Sequence, residues 1–260
     1  MHQRSPLKQR LNAWRKRSPF NAYWLDRLHL RRSVEALAPH ASGVLLDVGV
    51  AERPYAEMFA PHVERYLGLE YPPTVLDKQP ALWRMLDVMK RFIDVFGDGN
   101  RLPFADASLD TVLCTEVLEH VREPDRFVAE MARVLKPGGR LLLTVPFIQP
   151  LHELPSDYYR YTSASVAALI ERNGLETELV EPRGNSASAV GATLAQFLLR
   201  ALAARETLSD GSVVPSLWRM VLLMPVLAVV QVTFHLVSKL ARDGSMPLGW
   251  RAVARKPAAG

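Results

Sequence analysis

Three carboxylates stand where short apolar runs stop. Val44-Leu45-Leu46-Asp47-Val48-Gly49 closes on an acid and a glycine, and Arg65-Tyr66-Leu67-Gly68-Leu69-Glu70 closes on an acid. A third acid, Asp98, follows the run Phe92–Phe96 inside Gly97-Asp98-Gly99. A carboxylate at the end of the second run can accept both hydroxyl protons of a ribose, and one past the third can take the exocyclic amine of an adenine. A glycine in the first turn lets backbone approach the ligand. The pattern is that of a nucleoside holder. A phosphate site would carry more glycines, and a P-loop a lysine as well; neither is here. The segment His152-Glu153-Leu154-Pro155-Ser156-Asp157-Tyr158-Tyr159-Arg160-Tyr161-Thr162 gathers His, Tyr, Arg and acid directly after the fifth apolar run. It reads as a substrate-facing lid, or as an ordered loop whose tyrosines pack and whose Arg160 pairs with an acid. Glu119-His120 can be a catalytic pair or a packing and capping one. Cys114, inside an apolar run, reads as a small hydrophobe. One cysteine and seven histidines without ligand spacing exclude a disulfide framework and a multi-cysteine metal site, so no metal is expected.

These residues need elements to hold them. The runs at 44–49, 65–70, 92–96, 110–114 and 140–145 read as five strands, with helices at 20–40, 54–59, 73–91, 126–135 and 163–173. Leu175–Pro182 and Trp250–Arg255 read as a sixth and a seventh strand. Strands alternating with helices imply a parallel sheet covered on both faces, and ligands on such sheets bind at the carboxyl ends of the strands. The fold class expected is α/β, a doubly wound, Rossmann-like, seven-stranded, mostly parallel sheet. A helical insertion separates its last two strands.

Four blocks, Leu45–Arg53, Tyr66–Glu70, Asp98–His120 and Arg133–Pro146, resemble the class I S-adenosylmethionine-dependent methyltransferases, in their small-molecule, type 11-like branch. The runs Arg101-Leu102-Pro103-Phe104-Ala105-Asp106-Ala107-Ser108-Leu109-Asp110 and Arg133-Val134-Leu135-Lys136-Pro137-Gly138-Gly139 carry most of the likeness. The resemblance implies S-adenosylmethionine as cofactor. Asp47 and Gly49, with Ala51 in the same loop, would line its methionine side, and Glu70 would hold the ribose. Asp98 and the Gly99 backbone would face the adenine, and Thr115 and Glu116 would sit beside the methyl group. The first loop departs from the family's acid-x-Gly-x-Gly-x-Gly, because Ala51 and Arg53 replace the second and third glycines. An added Cβ penalises positive φ. Weaker cofactor binding, or a different course through Pro54-Tyr55, is therefore expected.

Methyl transfer to a hydroxyl requires a base for its proton. His152 is the first candidate, since an imidazole titrates near neutrality, and Tyr158 the second. The 152–162 segment resembles one found in methyltransferases of cell-surface saccharide or lipid pathways, which suggests a small-molecule, saccharide or lipid-linked acceptor.

The chain of 260 residues carries a net charge of +5, unevenly placed: residues 1–32 hold nine Lys/Arg against one acid, Asp26. That segment fits an anionic membrane surface or a solvated terminus. No secretory signal is read, and a cytoplasmic enzyme, peripheral to a membrane, is the localisation expected. Met220–Val237 has no formal charge over eighteen residues and is bracketed by Arg219 and Lys239; Ala189–Ala204 is a second apolar helix. A single span would separate the seventh strand from its sheet, so the insertion must leave and return on one side. Membrane hairpin, interfacial pair, lid and homodimer surface all meet that condition. The organisation expected is a basic helical extension (1–40), a cofactor-binding core (41–185), an apolar helical insertion (186–246) and a final strand with tail (247–260). The other functional class that fits is a non-catalytic, membrane-associated nucleoside-binding protein. Nucleic acid is a disfavoured partner, because Thr115-Glu116-Val117-Leu118 stands where amino-methylating DNA enzymes carry an aromatic-acid-proline tetrapeptide.

Overall fold

A computed structural model of the chain describes residues 18–71 and 91–258. The helix expected at 73–91 and the basic stretch before Ser18 lie outside the described residues. Within them the chain forms two compact units: a sheet unit (33–71, 91–146, 158–181 and 250–258) and a helical unit (18–32, 147–157 and 182–249).

Seven strands form one sheet: β1 (Val44–Val48), β2 (Arg65–Glu70), β3 (Val95–Phe96), β4 (Leu109–Thr115), β5 (Leu135–Pro146), β6 (Glu176–Arg183) and β9 (Gly249–Arg255), in the order β3-β2-β1-β4-β5-β9-β6. The pairs β1–β2, β1–β4, β2–β3 and β4–β5 are parallel. β9 runs against β5. Gly138, near the start of β5, donates to Lys256 just past β9, whereas Phe147, just past β5, donates to Leu248 just before β9. The two helices of the insertion, with a small two-stranded hairpin between them, fall between β6 and β9. The sheet and the insertion are those the sequence pattern predicts.

The central strands are short apolar runs because both faces are covered. Leu46, Val112, Leu141 and Leu143 are buried on them, against Val128 and Met131 of helix α3 (Pro124–Val134) and Val166 and Leu169 of helix α4 (Ser163–Arg172). Some boundaries differ from expectation for local reasons. α3 starts at Pro124, two residues before the expected start, where a fixed φ suits the first turn and no N–H is needed. β5 starts at Leu135 and runs through Lys136-Pro137-Gly138-Gly139, ahead of the strand expected at 140–145. Between Leu109↔Leu135 and Thr111↔Arg140 it loops out three more residues than β4, with Gly138 at φ +81°. Lys136 Nζ meets both carboxylate oxygens of Asp110 at 2.7 and 2.8 Å, and Asp110 in turn accepts the Val44 N–H. β3 keeps only Val95–Phe96 of the expected 92–96.

In the helical unit, helix α1 (Trp24–Leu37) supplies its first turns. Helix α5 (Ser186–Leu198) continues as a π-helical turn to Ala203, and helix α6 (Leu217–Leu240) follows the unexpected hairpin β7 (Ala204–Thr207) and β8 (Val213–Pro215). α5 begins at Ser186, three residues before the expected start, because Asn185 and Ser188 form a reciprocal capping box. Gly191 allows close approach: a Cβ there would lie 2.3 Å from Cβ of Phe234 on α6.

Candidate functional site

The carboxyl ends of β1 and β2 bring Asp47 and Glu70 side by side, both buried. Leu45 pairs with Tyr66 and Asp47 with Gly68, so Tyr66 reaches across one strand and its hydroxyl donates to Asp47 Oδ2 at 2.5 Å. Burial pushes the Asp47 carboxyl up to about 7; the Tyr66 bond opposes that shift and the Glu70 charge adds to it. Burial and the Asp47 charge push the Tyr66 phenol up in turn. Asp47 Oδ1 is buried and without a hydrogen-bond partner among the described residues.

The loop after β1 folds back onto β2. Gly49 and Val50 both donate to the Leu69 carbonyl, and Ala51 N–H donates to Glu70 Oε2 at 3.0 Å. Gly49, Ala51 and Arg53 have φ of +80°, +46° and +55°. All three positions that would carry glycine in the resembled pattern are left-handed, although two hold side chains. An L-residue there costs roughly 1–2 kcal/mol. Arg53 has compensating contacts: its guanidinium bonds the Asp94 carboxylate and lies 5.4 Å from the centroid of the Tyr66 ring. Asp94 also accepts the Gly68 N–H at 2.7 Å. Tyr66, Arg53 and Asp94 therefore support the loop. Only alternation along β2, which sets Tyr66, Gly68 and Glu70 on one face, hinted at any of them in the sequence.

Asp98 is exposed and its Oδ1 accepts the Asn100 N–H at 2.8 Å and Nδ2 at 3.0 Å; Gly97 N–H bonds the Glu70 carbonyl, tying this turn to the end of β2. Gly99 is buried, and a Cβ on it would enter the Phe127 ring at 2.0 Å, so helix packing itself demands glycine there. Thr115 ends β4 opposite Thr144, and Glu116 follows at φ +52°, its N–H on the Thr144 carbonyl. The loop over 101–106 is clamped by α3. Glu130 accepts the Leu102 N–H, and Arg133 donates to the carbonyls of Leu102 and Phe104 and to Asp106 at 2.6 Å. Two distant stretches that carried the resemblance are thus one physical unit.

Tyr158 lies in the sheet unit, its N–H on the Glu119 carbonyl and its hydroxyl accepting from Arg122 Nε at 2.7 Å, with the guanidinium over its ring. Glu119 and His120 belong to a short 3-10 turn whose carbonyls also receive the Tyr159 N–H and the Tyr161 hydroxyl. Burial pushes the Cys114 thiol up, as suits a small hydrophobe in β4. His152 lies in the helical unit. Its N–H donates to Asp157 Oδ2 at 3.0 Å, and its Nδ1 is 3.1 Å from the Pro150 carbonyl.

The residues suit S-adenosylmethionine. A buried carboxylate with an unpartnered oxygen calls for a cationic or N–H partner, which a methionine ammonium would supply, and a second buried carboxylate stands at the next strand end.

Residues 46–143 match the family model described as a methyltransferase domain. An S-adenosylmethionine-dependent methyltransferase of Mycolicibacterium smegmatis is 28% identical over 248 residues, 90% of each chain. A demethylmenaquinone methyltransferase of Deinococcus radiodurans is 35% identical over 159 residues, 57% of this chain and 63% of its own. The chain spans about half the length of two Mycobacterium leprae relatives named as uncharacterized methyltransferases. Among solved structures, a chain of the Haloferax volcanii complex between the Trm112 methyltransferase activator and a methyltransferase shares the fold at TM-score 0.54 and 19% identity, covering 97% of this chain and 98% of its own. With the seven-stranded sheet in this strand order and acids at its strand ends, these likenesses support a class I S-adenosylmethionine-dependent methyltransferase with S-adenosylmethionine as its cofactor.

Proposed function

We propose that the chain transfers the methyl group of S-adenosylmethionine to a small saccharide or lipid-linked acceptor at a membrane surface. The observation that carries the cofactor-holding half is the buried Asp47–Glu70 pair at adjacent strand ends, with an unpartnered oxygen on Asp47. When bound, the cofactor supplies an already activated methyl on a sulfonium, and the protein has to align an acceptor and exclude water. Asp47 holds the ammonium, Glu70 the ribose hydroxyls, and Asp98 with the Gly99 backbone the adenine. Thr115 and Glu116 border the methyl. Gly49 and Ala51 shape the turn. His152 is the first candidate to take the acceptor's proton. Its Nδ1 lies 3.1 Å from the Pro150 carbonyl, which orients the ring. Tyr158, beside Arg122, is the second.

The acceptor class is supported by the Deinococcus relative, whose name gives a demethylmenaquinone, and by the unusually apolar insertion. The insertion and the basic segment before residue 33 favour a cytoplasmic enzyme peripheral to an anionic bilayer. A homodimer is the competing use of the same surface.

Calorimetry with S-adenosylmethionine and S-adenosylhomocysteine, followed by radiolabelled methyl transfer to lipid and saccharide extracts, tests this function. Binding of both with label in one extract is expected. Binding of neither overturns it, and binding without turnover on any extract leaves the non-catalytic nucleoside-binding reading instead. Turnover unchanged in His152→Ala removes His152 from the proton-accepting role.

A further inference from the structure

The outer face of α6 is apolar where a water-facing helix would be polar. Trp218, Leu222, Val229, Leu236 and Leu240 are all more than half exposed, and they fall on one side of the helix. Leu223, Leu227 and Gln231 are buried on the opposite side, and they anchor α6 within its own unit. Phe197 and Leu202 extend the apolar exposure along the α5 segment. A core helix of the same composition would be mostly covered; only 17% of the α6 stretch is. By length alone both helical stretches can cross a bilayer.

The segment 147–157 decides between crossing and lying flat. At the base of the helical hairpin, Phe147 N–H and Ile148 N–H both bond the Leu248 carbonyl. At the tip, Leu154 N–H bonds the Asp210 carbonyl, and Arg200 donates to the Gly211 carbonyl at 2.9 Å. Base and tip are therefore both tied to the eight residues from Phe147 to Leu154. A crossing hairpin would drag His152, Glu153 and irregular backbone through lipid, where unsatisfied polar groups cost several kcal/mol each.

We infer that α6 and the exposed side of α5 lie in the plane of a single leaflet of an anionic membrane, with the tip and base of the hairpin on the same side. The inference rests on the membrane half of the function proposed above. Lipid is the occupant because the face is aliphatic along a helix of about 36 Å and is bordered by cations. Arg219 and Lys239 lie near its ends and Arg242 just beyond, and the segment 1–32 carries nine basic residues against one acid. A protein partner would be met by a smaller apolar core with a polar rim.

The test uses the full chain, whose own Cys114 is buried. Ser209→Cys marks the tip, Ser245→Cys the base, and Val229→Cys carries an environment-sensitive fluorophore on the apolar face. With vesicles of phosphatidylcholine and phosphatidylglycerol at 3:1, the protein is expected to pellet at least tenfold more than with phosphatidylcholine alone, with a blue shift at position 229. In sealed inside-out membranes from a bacterial expression host, an impermeant maleimide is expected to label both 209 and 245 without detergent. Labelling of 209 only after detergent overturns the in-plane arrangement and leaves membrane binding intact. No pelleting, or a blue shift in solution that accompanies a dimer, overturns lipid as the occupant. Calorimetry with S-adenosylhomocysteine on the same preparations judges the cofactor reading separately.

Discussion

At the residue scale the departure at Ala51 and Arg53 is the most informative feature of the site. Both residues hold left-handed backbone that glycine would adopt without cost, and Arg53 offsets its share through Asp94 and the Tyr66 ring. A partly exposed ion pair contributes roughly 0–1 kcal/mol and a cation–π contact about 0.5–1 kcal/mol. Together these roughly match a left-handed penalty of about 1–2 kcal/mol. Arg53→Ala keeps the penalty and loses both contacts, so it should destabilise the chain by about 1–2 kcal/mol and weaken cofactor binding severalfold. Arg53→Gly loses the contacts and the penalty together and should stay within about 0.5 kcal/mol of the parent. Urea unfolding and calorimetry with S-adenosylhomocysteine measure both effects. Equal losses in the two variants would show that the arginine side chain is not what sustains the turn.

At the scale of elements, Gln231 ties α6 to the start of α1. Its Oε1 accepts the Leu25 N–H, one of the donors that the first turn of a helix leaves unpaired, and its Nε2 donates to the carbonyls of Pro19 and Asn21. The side chain is fully buried. Gln231→Leu keeps much of the volume but strands those backbone groups, and should cost about 2–4 kcal/mol by chemical denaturation. A loss under about 0.5 kcal/mol would mean that the contact with α1 is dispensable. The sequence marks α6 plainly by its uncharged run. It does not mark the β7–β8 hairpin, because Ala204–Pro215 mixes charged, polar and apolar residues without a period of two, and only pairing reveals the strands.

At the scale of the whole molecule the two units respond to pH in opposite senses. In the sheet unit Asp47 sits at about 7, above the ordinary 3.8, so the folded chain keeps a proton that the unfolded chain releases. Stability from this group is greatest below about pH 4 and falls as pH rises to 7. In the helical unit burial, with Arg32, His235 and Arg183 nearby, holds His29 at about 4, below the ordinary 6.5. The unfolded chain binds that proton more readily, so stability is full above 6.5 and falls as pH drops towards 4. Asp47→Asn should therefore flatten the loss between pH 5 and 7.5, and His29→Gln the loss between pH 6 and 4.5. Hydrogen exchange resolved by segment can assign each effect to its unit. A shared pH response in both units would contradict this assignment.

The amino-acid sequence by itself determined the sheet, the insertion and the cofactor class. Short buried strands are written as apolar runs, and Asp47, Glu70 and Asp98 mark where they stop. It also marked Arg133 and the 101–110 stretch, but not that one clamps the other. Tertiary structure alone decided how the first loop is held, because Tyr66 and Asp94 become its neighbours only when β2 and β3 pair beside β1. It likewise decided which side of α6 is bare, since an all-apolar helix has no polar face from which to read its orientation. The tie between Leu154 and Asp210 spans more than fifty residues of chain. No local pattern encodes such a contact; it exists only because the helical hairpin folds back along the segment that leaves β5.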